Sequence, residues 1–340
     1  MKLFSGSANP EFSSKVAKQL NKTLADVEVG KFADGEIKII INENVRQHDC
    51  YIIQPTGPSL NASPNDNFME LLIMVDALKR GSAKTVNVVV PYYGYERQDR
   101  KDYSRAPISA RIIASCLETL DVDRVITFDL HAGQIQGFFS CSTPFDNLYV
   151  ESYFIKYIQE KIIPSLKLDG FENQEVTIVS PDEGGVKRAV RVAGKLGLST
   201  TIIYKERKKA NEISSMKVLG EVKNNICVIV DDIIDTGGTA CYAAKVLKDA
   251  GASKIFMLAC HGLFSNGGIQ RIKDSAFDRV IVTNTLSSAS HQEKIRSTGC
   301  DKIEYIDVSW LCAEAIRRSH YGESLTELYD TNTVNLIPPR

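Results

Sequence analysis

The chain has 340 residues, with 41 Lys and Arg against 42 Asp and Glu, so its formal net charge is −1. With 43% hydrophobic and 24% charged residues it has an ordinary globular composition. That excludes wholesale disorder, and also a strongly cationic nucleic-acid binder, because no global positive field draws phosphate backbones.

Short apolar runs alternate with helical stretches along the chain. Lys2–Ser5 precedes a helical pattern through Val16–Leu20, and Gly30–Glu36 reads as a turn. The run Cys50–Gln54 is followed by an irregular Thr56–Asn67 and a helix over Phe68–Arg80. Val86–Val90 leads into Tyr92–Arg105, where Arg97, Arg100, Lys101 and Arg105 are interleaved with aromatics, and then into a helix over Pro107–Leu120. Val125–Phe128 runs directly into Asp129-Leu130-His131-Ala132-Gly133. Beyond the loop-like Ser140–Pro144 and Ser165–Gln174 come the run Val176–Val179, Ser180–Gly185 and a helix over Gly184–Leu196. Thr201–Tyr204 opens into the cationic Lys205–Asn211, which reads as a mobile loop. Ile226–Val230, a helix over Thr239–Ala250, Ile255–Ala259 and Val280–Val282 complete the pattern, and the tail after Asp330 reads as frayed. Continuous apolar runs of this length suit strands buried on both faces, so the alternation predicts an α/β fold with mainly parallel sheets flanked by helices.

The pattern repeats. Lys2–Ser5 and Thr177–Ser180 are each followed by a helix containing a similar stretch, Val16–Leu20 and Val192–Leu196, and Leu78–Lys84 and Leu247–Lys254 each precede a strand. Arg124-Val125-Ile126 matches Arg279-Val280-Ile281. Order is kept while spacing drifts, as duplication predicts. At ~150 residues per domain, the expectation is two similar domains, residues 1–149 and 150–340, joined near Asn147–Tyr153.

Chemistry concentrates at strand ends, the functional edge of a parallel sheet. Ile226–Val230 ends in Asp231, Asp232 and Asp235, followed by Thr236-Gly237-Gly238-Thr239 and a helix. Backbone N–H groups at a helix start favour an anion, and the glycines permit close approach. A plain helix cap needs one Thr and no acids. Three carboxylates beside an anion cradle make sense if they hold sugar hydroxyls or a metal, so the segment suits a phosphorylated sugar. In the first half the matching Ile53–Pro58 has no acidic pair, so only one half keeps this site. Aromatic faces and Arg forks in Tyr92–Arg105 suit a base and phosphates. His131 leaves a buried strand beside an acid and a Gly, which suits a metal or a phosphate, as do Asp182 and the glycines after it.

Taken together, Arg97-Gln98-Asp99, Asp129–Ala132, Gln134–Phe139, Ser180-Pro181-Asp182, Lys205–Lys209 and Asp231–Thr239 resemble the ribose-phosphate diphosphokinase family, from about Leu3 to Leu328. The resemblance implies two tandem domains of type I phosphoribosyltransferase-like fold. It also implies transfer of the diphosphoryl group of ATP to the C1 hydroxyl of ribose 5-phosphate, with Mg²⁺. By the same resemblance Phe32, Asp34 and Glu36 hold adenine from a neighbouring subunit, while Arg97, Gln98, Asp102 and His131 contact ATP. His131 and Asp182 lie at the metal–polyphosphate centre, and Lys205 and Arg207 are catalytic. Asp231 and Asp232 hold ribose hydroxyls, and Asp235, Thr236, Gly237, Gly238 and Thr239 hold the 5-phosphate. A homo-oligomer of dimers forming a hexamer is implied. Asn44 stands where the family often has Ser near its regulatory site, with Arg46 retained. Alternatives are a non-catalytic partner subunit of the same fold, or a nucleobase phosphoribosyltransferase, which would consume phosphoribosyl pyrophosphate rather than make it.

No apolar run reaches the ~18 residues of a membrane span, and the N-terminus turns polar too early for a secretory signal. The eight cysteines form no CxxC pair and sit mostly in apolar runs, which predicts reduced, buried thiols in a cytoplasmic protein without membrane or nucleic-acid partners.

Overall fold

The structure is a computed structural model that describes residues 1–209 and 212–329, with the side chains of 205–215 and of 329 outside the description. The expectation of a frayed tail after Asp330 lies outside the described residues. In chain order the first half holds β1 (Lys2–Ser5), α1 (Pro10–Gln19), β2 (Val27–Lys31), β3 (Ile37–Ile41), β4 (Asp49–Ile53), α2 (Pro64–Arg80), β5 (Thr85–Val90), α3 (Ser109–Thr119), β6 (Arg124–Phe128) and β7 (Phe145–Leu148). Next come α4 (Glu151–Tyr157), α5 (Ile163–Leu168), β8 (Val176–Ser180), α6 (Val186–Leu196), β9 (Ser199–Lys209), β10 (Glu212–Leu219) and β11 (Ile226–Ile234). The rest is α7 (Gly238–Asp249), β12 (Lys254–Gly262), α8 (Gly268–Asp274), β13 (Arg279–Thr283), α9 (Ala289–Thr298), β14 (Ile303–Ile306) and α10 (Ser309–Tyr321).

The first sheet has the order β1-β4-β5-β6-β7, and the second β10-β9-β8-β11-β12-β13-β14. Neighbours pair in parallel except β9 with β10. The halves correspond strand for strand: β1, β4, β5, β6 and β7 match β8, β11, β12, β13 and β14. The antiparallel pair β2–β3 stands apart as its own two-stranded sheet, whereas the corresponding β9–β10 remains on the edge of the second sheet. Strand order reverses between β8 and β11, and at such a switch point the crevice beyond the strand ends is where an open α/β sheet binds ligands.

Side chains alternate across each sheet. In β11, Val228 and Val230 face a central core, while Cys227 and Ile229 face an outer one. The central core draws on both halves: Leu3, Phe12 and Phe128 share it with Ile178, Val228 and Ile316. Phe4, Cys50 and Ile52 pack instead under α2 and α3, and Cys227 and Ile229 under α7 and α8. Buried polar groups also cross the seam. His261 contacts the Phe128 carbonyl through Nε2 at 3.1 Å, and Asn9 Nδ2 donates to the Asn284 carbonyl at 2.9 Å.

Several expected boundaries move. Residues 64–67 belong to α2, because Pro64 sits in its first turn and Ser63 closes a capping box with Asp66. Residues 165–168, expected as loop, are the end of α5, joined to α4 through a π-helical turn at Ile158–Ile162. The wider turn breaks the 3.6-residue period that would have marked the helix. Lys205–Lys209 is strand rather than loop: β9 continues to Lys209 and pairs with β10. Cys141 is exposed, and Cys116 and Cys241 are partly exposed, whereas the other five cysteines are buried; all eight are free thiols.

Candidate active site

The site lies beyond the ends of β8 and β11, against the first half. The strand β11 does not stop at its acids but runs on to Ile234, so Asp231 and Asp232 are held on rigid backbone. Their side chains differ in setting: Asp231 is 25% exposed and Asp232 8%. Asp232 Oδ2 lies 2.7 Å from His131 Nδ1, and its Oδ1 accepts from Arg188 Nη1 at 3.0 Å. Arg188 also stands 3.6 Å from Asp231 Oδ1. The Asp232 amide donates to Asp231 Oδ1 at 3.0 Å.

The electrostatics follow from burial and from one cation. Burial pushes the Asp232 carboxyl up, but the His131 hydrogen bond and the Arg188 guanidinium prevail and hold it below the usual carboxylate range. Burial and the neighbouring Asp232 push Asp231 well up. The bond to Asp232 raises His131, against burial. Asp182, just after β8, is among the charges acting on Asp231, and its Oδ1 accepts from the Gly185 amide at 3.1 Å.

His131 leaves β6 by way of Asp129, which adopts φ +36. The His131 amide donates to Glu96 Oε2 at 2.9 Å. Glu96 is fully buried and burial pushes its carboxyl well up; burial likewise raises Asp129 to about 6. Glu96 Oε1, Asp129 Oδ1 and Asp235 Oδ1 are buried without a hydrogen-bond partner.

Beyond Ile234 the chain turns through Asp235, Thr236 and Gly237. Gly237 adopts φ +76, a conformation that favours glycine. Helix α7 begins at Gly238 with no side-chain cap, so its first amides are open to an anion. A Cβ on Gly268 would stand 2.7 Å from the Asp235 carbonyl oxygen, so α8 packs directly beneath this turn. Arg271 Nη1 donates to the Thr236 carbonyl at 2.6 Å. Across the seam, Arg97 Nη1 donates to Asp235 Oδ2 at 2.7 Å.

The structure therefore brings His131, Asp182, Asp231, Asp232, Asp235 and Arg97 to one edge, with Thr236, Gly237, Gly238 and Thr239 at the helix start. Gln98 and Asp102 lie on the segment after β5. Gln98 Oε1 accepts from Ser109 Oγ at 2.6 Å, and Asp102 accepts from Arg100 at 3.1 Å. Phe32, Asp34 and Glu36 form the tip of the β2–β3 hairpin, which packs on α2, and Phe32 is 53% exposed. The Asp34 side chain accepts from the Glu36 amide at 3.1 Å, which shapes the tip; no hydrogen bond of the tip reaches the Asp231 cluster among the described residues. Lys205 and Arg207 lie on the edge ribbon, and their side chains lie outside the description. Sequence reasoning gave Arg188 no role. Its signal is a cation in the first turn of α6, where the helix dipole disfavours positive charge.

Similar proteins agree on one family. The model for the N-terminal domain of ribose phosphate pyrophosphokinase matches residues 1–120, and that for the phosphoribosyl synthetase-associated domain matches residues 208–330. Ribose-phosphate pyrophosphokinase A of Dictyostelium discoideum is 46% identical over 97% of this chain and 98% of its own. Ribose-phosphate pyrophosphokinase of Helicobacter pylori is 45% identical over 96% of each. The crystal structure of phosphoribosylpyrophosphate synthetase from Mycobacterium smegmatis superposes with a TM-score of 0.83 at 36% identity, covering 94% of this chain and 99% of that one.

Proposed function

The chain belongs to the ribose-phosphate pyrophosphokinase family, and from that premise we propose how its own residues carry the reaction. The enzyme transfers the β,γ-diphosphoryl group of ATP to the C1 hydroxyl of ribose 5-phosphate, giving AMP and phosphoribosyl pyrophosphate for nucleotide synthesis. The sugar oxygen forms a bond to the β-phosphorus as the bond from that phosphorus to the α,β-bridging oxygen breaks. The bridging oxygen leaves with AMP, and the hydroxyl proton is lost.

Such a transfer rests on positioning and charge stabilisation. The open amides of α7 and the turn Asp235–Thr239 hold the 5-phosphate, and Asp231 and Asp232 fix the ribose above it. Arg97, Gln98, Asp102 and His131 take ATP from the first half, so that ATP and sugar meet across the seam. Lys205 and Arg207 on the edge ribbon neutralise charge that grows on the transferring group. The observation that carries this reading is the acid pair of β11 beside an uncapped helix start and within reach of His131 of the other half.

Mg²⁺ prefers oxygen ligands and often binds through one or two carboxylates plus substrate phosphates. Among the described residues no group of three or more His, Cys, Asp or Glu forms a ready-made cage, while half-exposed His131 and Asp182 flank the acid pair. That sparse set fits an ion arriving on the polyphosphate, held by Asp182 and His131. When bound, Mg²⁺ screens the phosphate charge.

The exposed tip bearing Phe32, Asp34 and Glu36 supports adenine binding across a subunit boundary, in a homo-oligomer of dimers forming a hexamer. Free cysteines throughout support a reducing, cytoplasmic location. Incubation with ATP, ribose 5-phosphate and Mg²⁺, followed by separation of nucleotides, tests the whole reading. Sugar-dependent AMP with matching phosphoribosyl pyrophosphate is expected. ADP in place of AMP, or no turnover by the folded assembly, overturns it.

A further inference from the structure

The two acids of β11 are neighbours in sequence, yet they are used differently. Both carboxylate oxygens of Asp232 are committed within the protein, Oδ2 to His131 Nδ1 at 2.7 Å and Oδ1 to Arg188 Nη1 at 3.0 Å. Asp232 is also the more enclosed, 8% exposed against 25% for Asp231. A carboxylate whose oxygens are each engaged by a charged or polar donor gives up a strong bond if it turns to a ribose hydroxyl. Asp231 has a longer, 3.6 Å approach to the same guanidinium and a more open face.

The committed partners span the molecule. His131 belongs to the first half, Asp232 to β11 and Arg188 to the first turn of α6. His131 is fixed at two points, its backbone by the amide bond to buried Glu96 and its ring by Nδ1 on Asp232. With Nδ1 so engaged, Nε2 is the ring nitrogen left to face the site. Arg188 is held under both acids by the rigid start of α6. Its Nη1, 3.0 Å from Asp232 Oδ1, therefore sets the direction of the Asp232 carboxylate, and that carboxylate sets the ring.

We propose that Asp232 and Arg188 are positioning residues that aim His131 across the seam between the halves, and that Asp231 is the acid of the pair that takes the ribose hydroxyls. The proposal rests on the reading of this site as that of diphosphoryl transfer to ribose 5-phosphate, and it divides the work previously given to both acids. It assigns sugar affinity to Asp231 and the geometry of transfer to the linked trio.

The test compares Asp231→Asn, Asp232→Asn and Arg188→Lys in the full-length assembled enzyme. It measures kcat, KM for ribose 5-phosphate and KM for ATP, with melting temperature as a check on folding and direct titration of ribose 5-phosphate as a check on binding. Asp231→Asn is expected to weaken sugar binding about 5- to 100-fold, the cost of leaving a sugar hydroxyl without its partner. Asp232→Asn and Arg188→Lys are expected to lower kcat about 10- to 100-fold, as loss of a supporting partner does, with sugar affinity within about twofold of the parent. Lysine keeps the charge but is shorter and puts no donor where Arg188 Nη1 meets Asp232 Oδ1, so a purely structural need for a cation would leave Arg188→Lys active. Equal loss of sugar affinity at Asp231 and Asp232 overturns the division of roles. Unchanged kcat in both Asp232→Asn and Arg188→Lys overturns the positioning role. If Asp232→Asn does not fold, Arg188→Lys and the Asp231→Asn titration decide. Failure of the parent enzyme to form AMP is visible separately and counts against the underlying reaction.

Discussion

His261 is fully buried between Thr285 Oγ1, 2.9 Å from Nδ1, and the Phe128 carbonyl, 3.1 Å from Nε2. Burial pushes its imidazole down to about 4. The unfolded chain takes up this proton near the ordinary value of ~6.5, so between about pH 6.5 and 4 the unfolded state binds more protons. The stability held above pH 6.5 is therefore lost as the pH falls through that window, by about 3 kcal/mol in full. Denaturant titrations across that range should show the fall, and His261→Gln, whose amide keeps a donor for Phe128, should flatten it. An unchanged slope in the variant would place the titration elsewhere. Lys205→Ala and Arg207→Ala are expected to lower kcat much more than affinity for ribose 5-phosphate, because their proposed partner is charge present only in transfer. A rise in sugar KM at constant kcat would remove them from that role. The acids and His131 were legible at this scale, because carboxylates and imidazole after apolar runs stand out. Arg188 was not, because its meaning comes from pairing with residues 43 and 44 positions away, and sequence adjacency carries no trace of that.

The turn after β11 shows how one element sets a site. Gly237 holds φ +76 and opens α7, and Gly268 of α8 presses against the Asp235 carbonyl. Gly237→Ala is expected to cost about 1 kcal/mol of stability and, by tilting the first amides of α7, to raise KM for ribose 5-phosphate several-fold. Isotherms for ribose 5-phosphate and a melting curve check this; a melting loss with intact sugar affinity would show that the amides keep their aim. Buried parallel strands such as β5 and β11 were legible because both faces are covered and the apolar run is unbroken. The ribbon at Lys205–Lys209 was not: its charge resembles a solvated loop, and only pairing with β10 makes it strand. The end of α5 escaped for another reason, since the π-helical turn at Ile158–Ile162 shifts the face and erases the period.

At the scale of the whole molecule, the two halves share a central core, and the proposed meeting of ATP and sugar at the seam rests on it. The hairpin β2–β3 forms its own sheet, while its counterpart β9–β10 stays on the edge of the second. If the hairpin tip reaches a neighbour's site, mixing Phe32→Ala subunits with Asp231→Asn subunits should give, at low ribose 5-phosphate, more activity than the two variants show separately. The mixed assembly then contains some sites with both a sound tip and a sound acid. No recovery after verified subunit exchange would mean that each subunit uses its own tip. The core has a further consequence for how the protein is made. Helix α1 packs against α10, with Phe12, Val16 and Ala17 buried in the same cluster as Leu311, Ala315 and Ile316. On the ribosome one partner of that apolar face, α10, is the last long helix to emerge, roughly 15–60 s after α1 at ordinary elongation rates. Part of that face stays uncovered for the interval, so transcripts cut short before Ser309 should give products that are degraded.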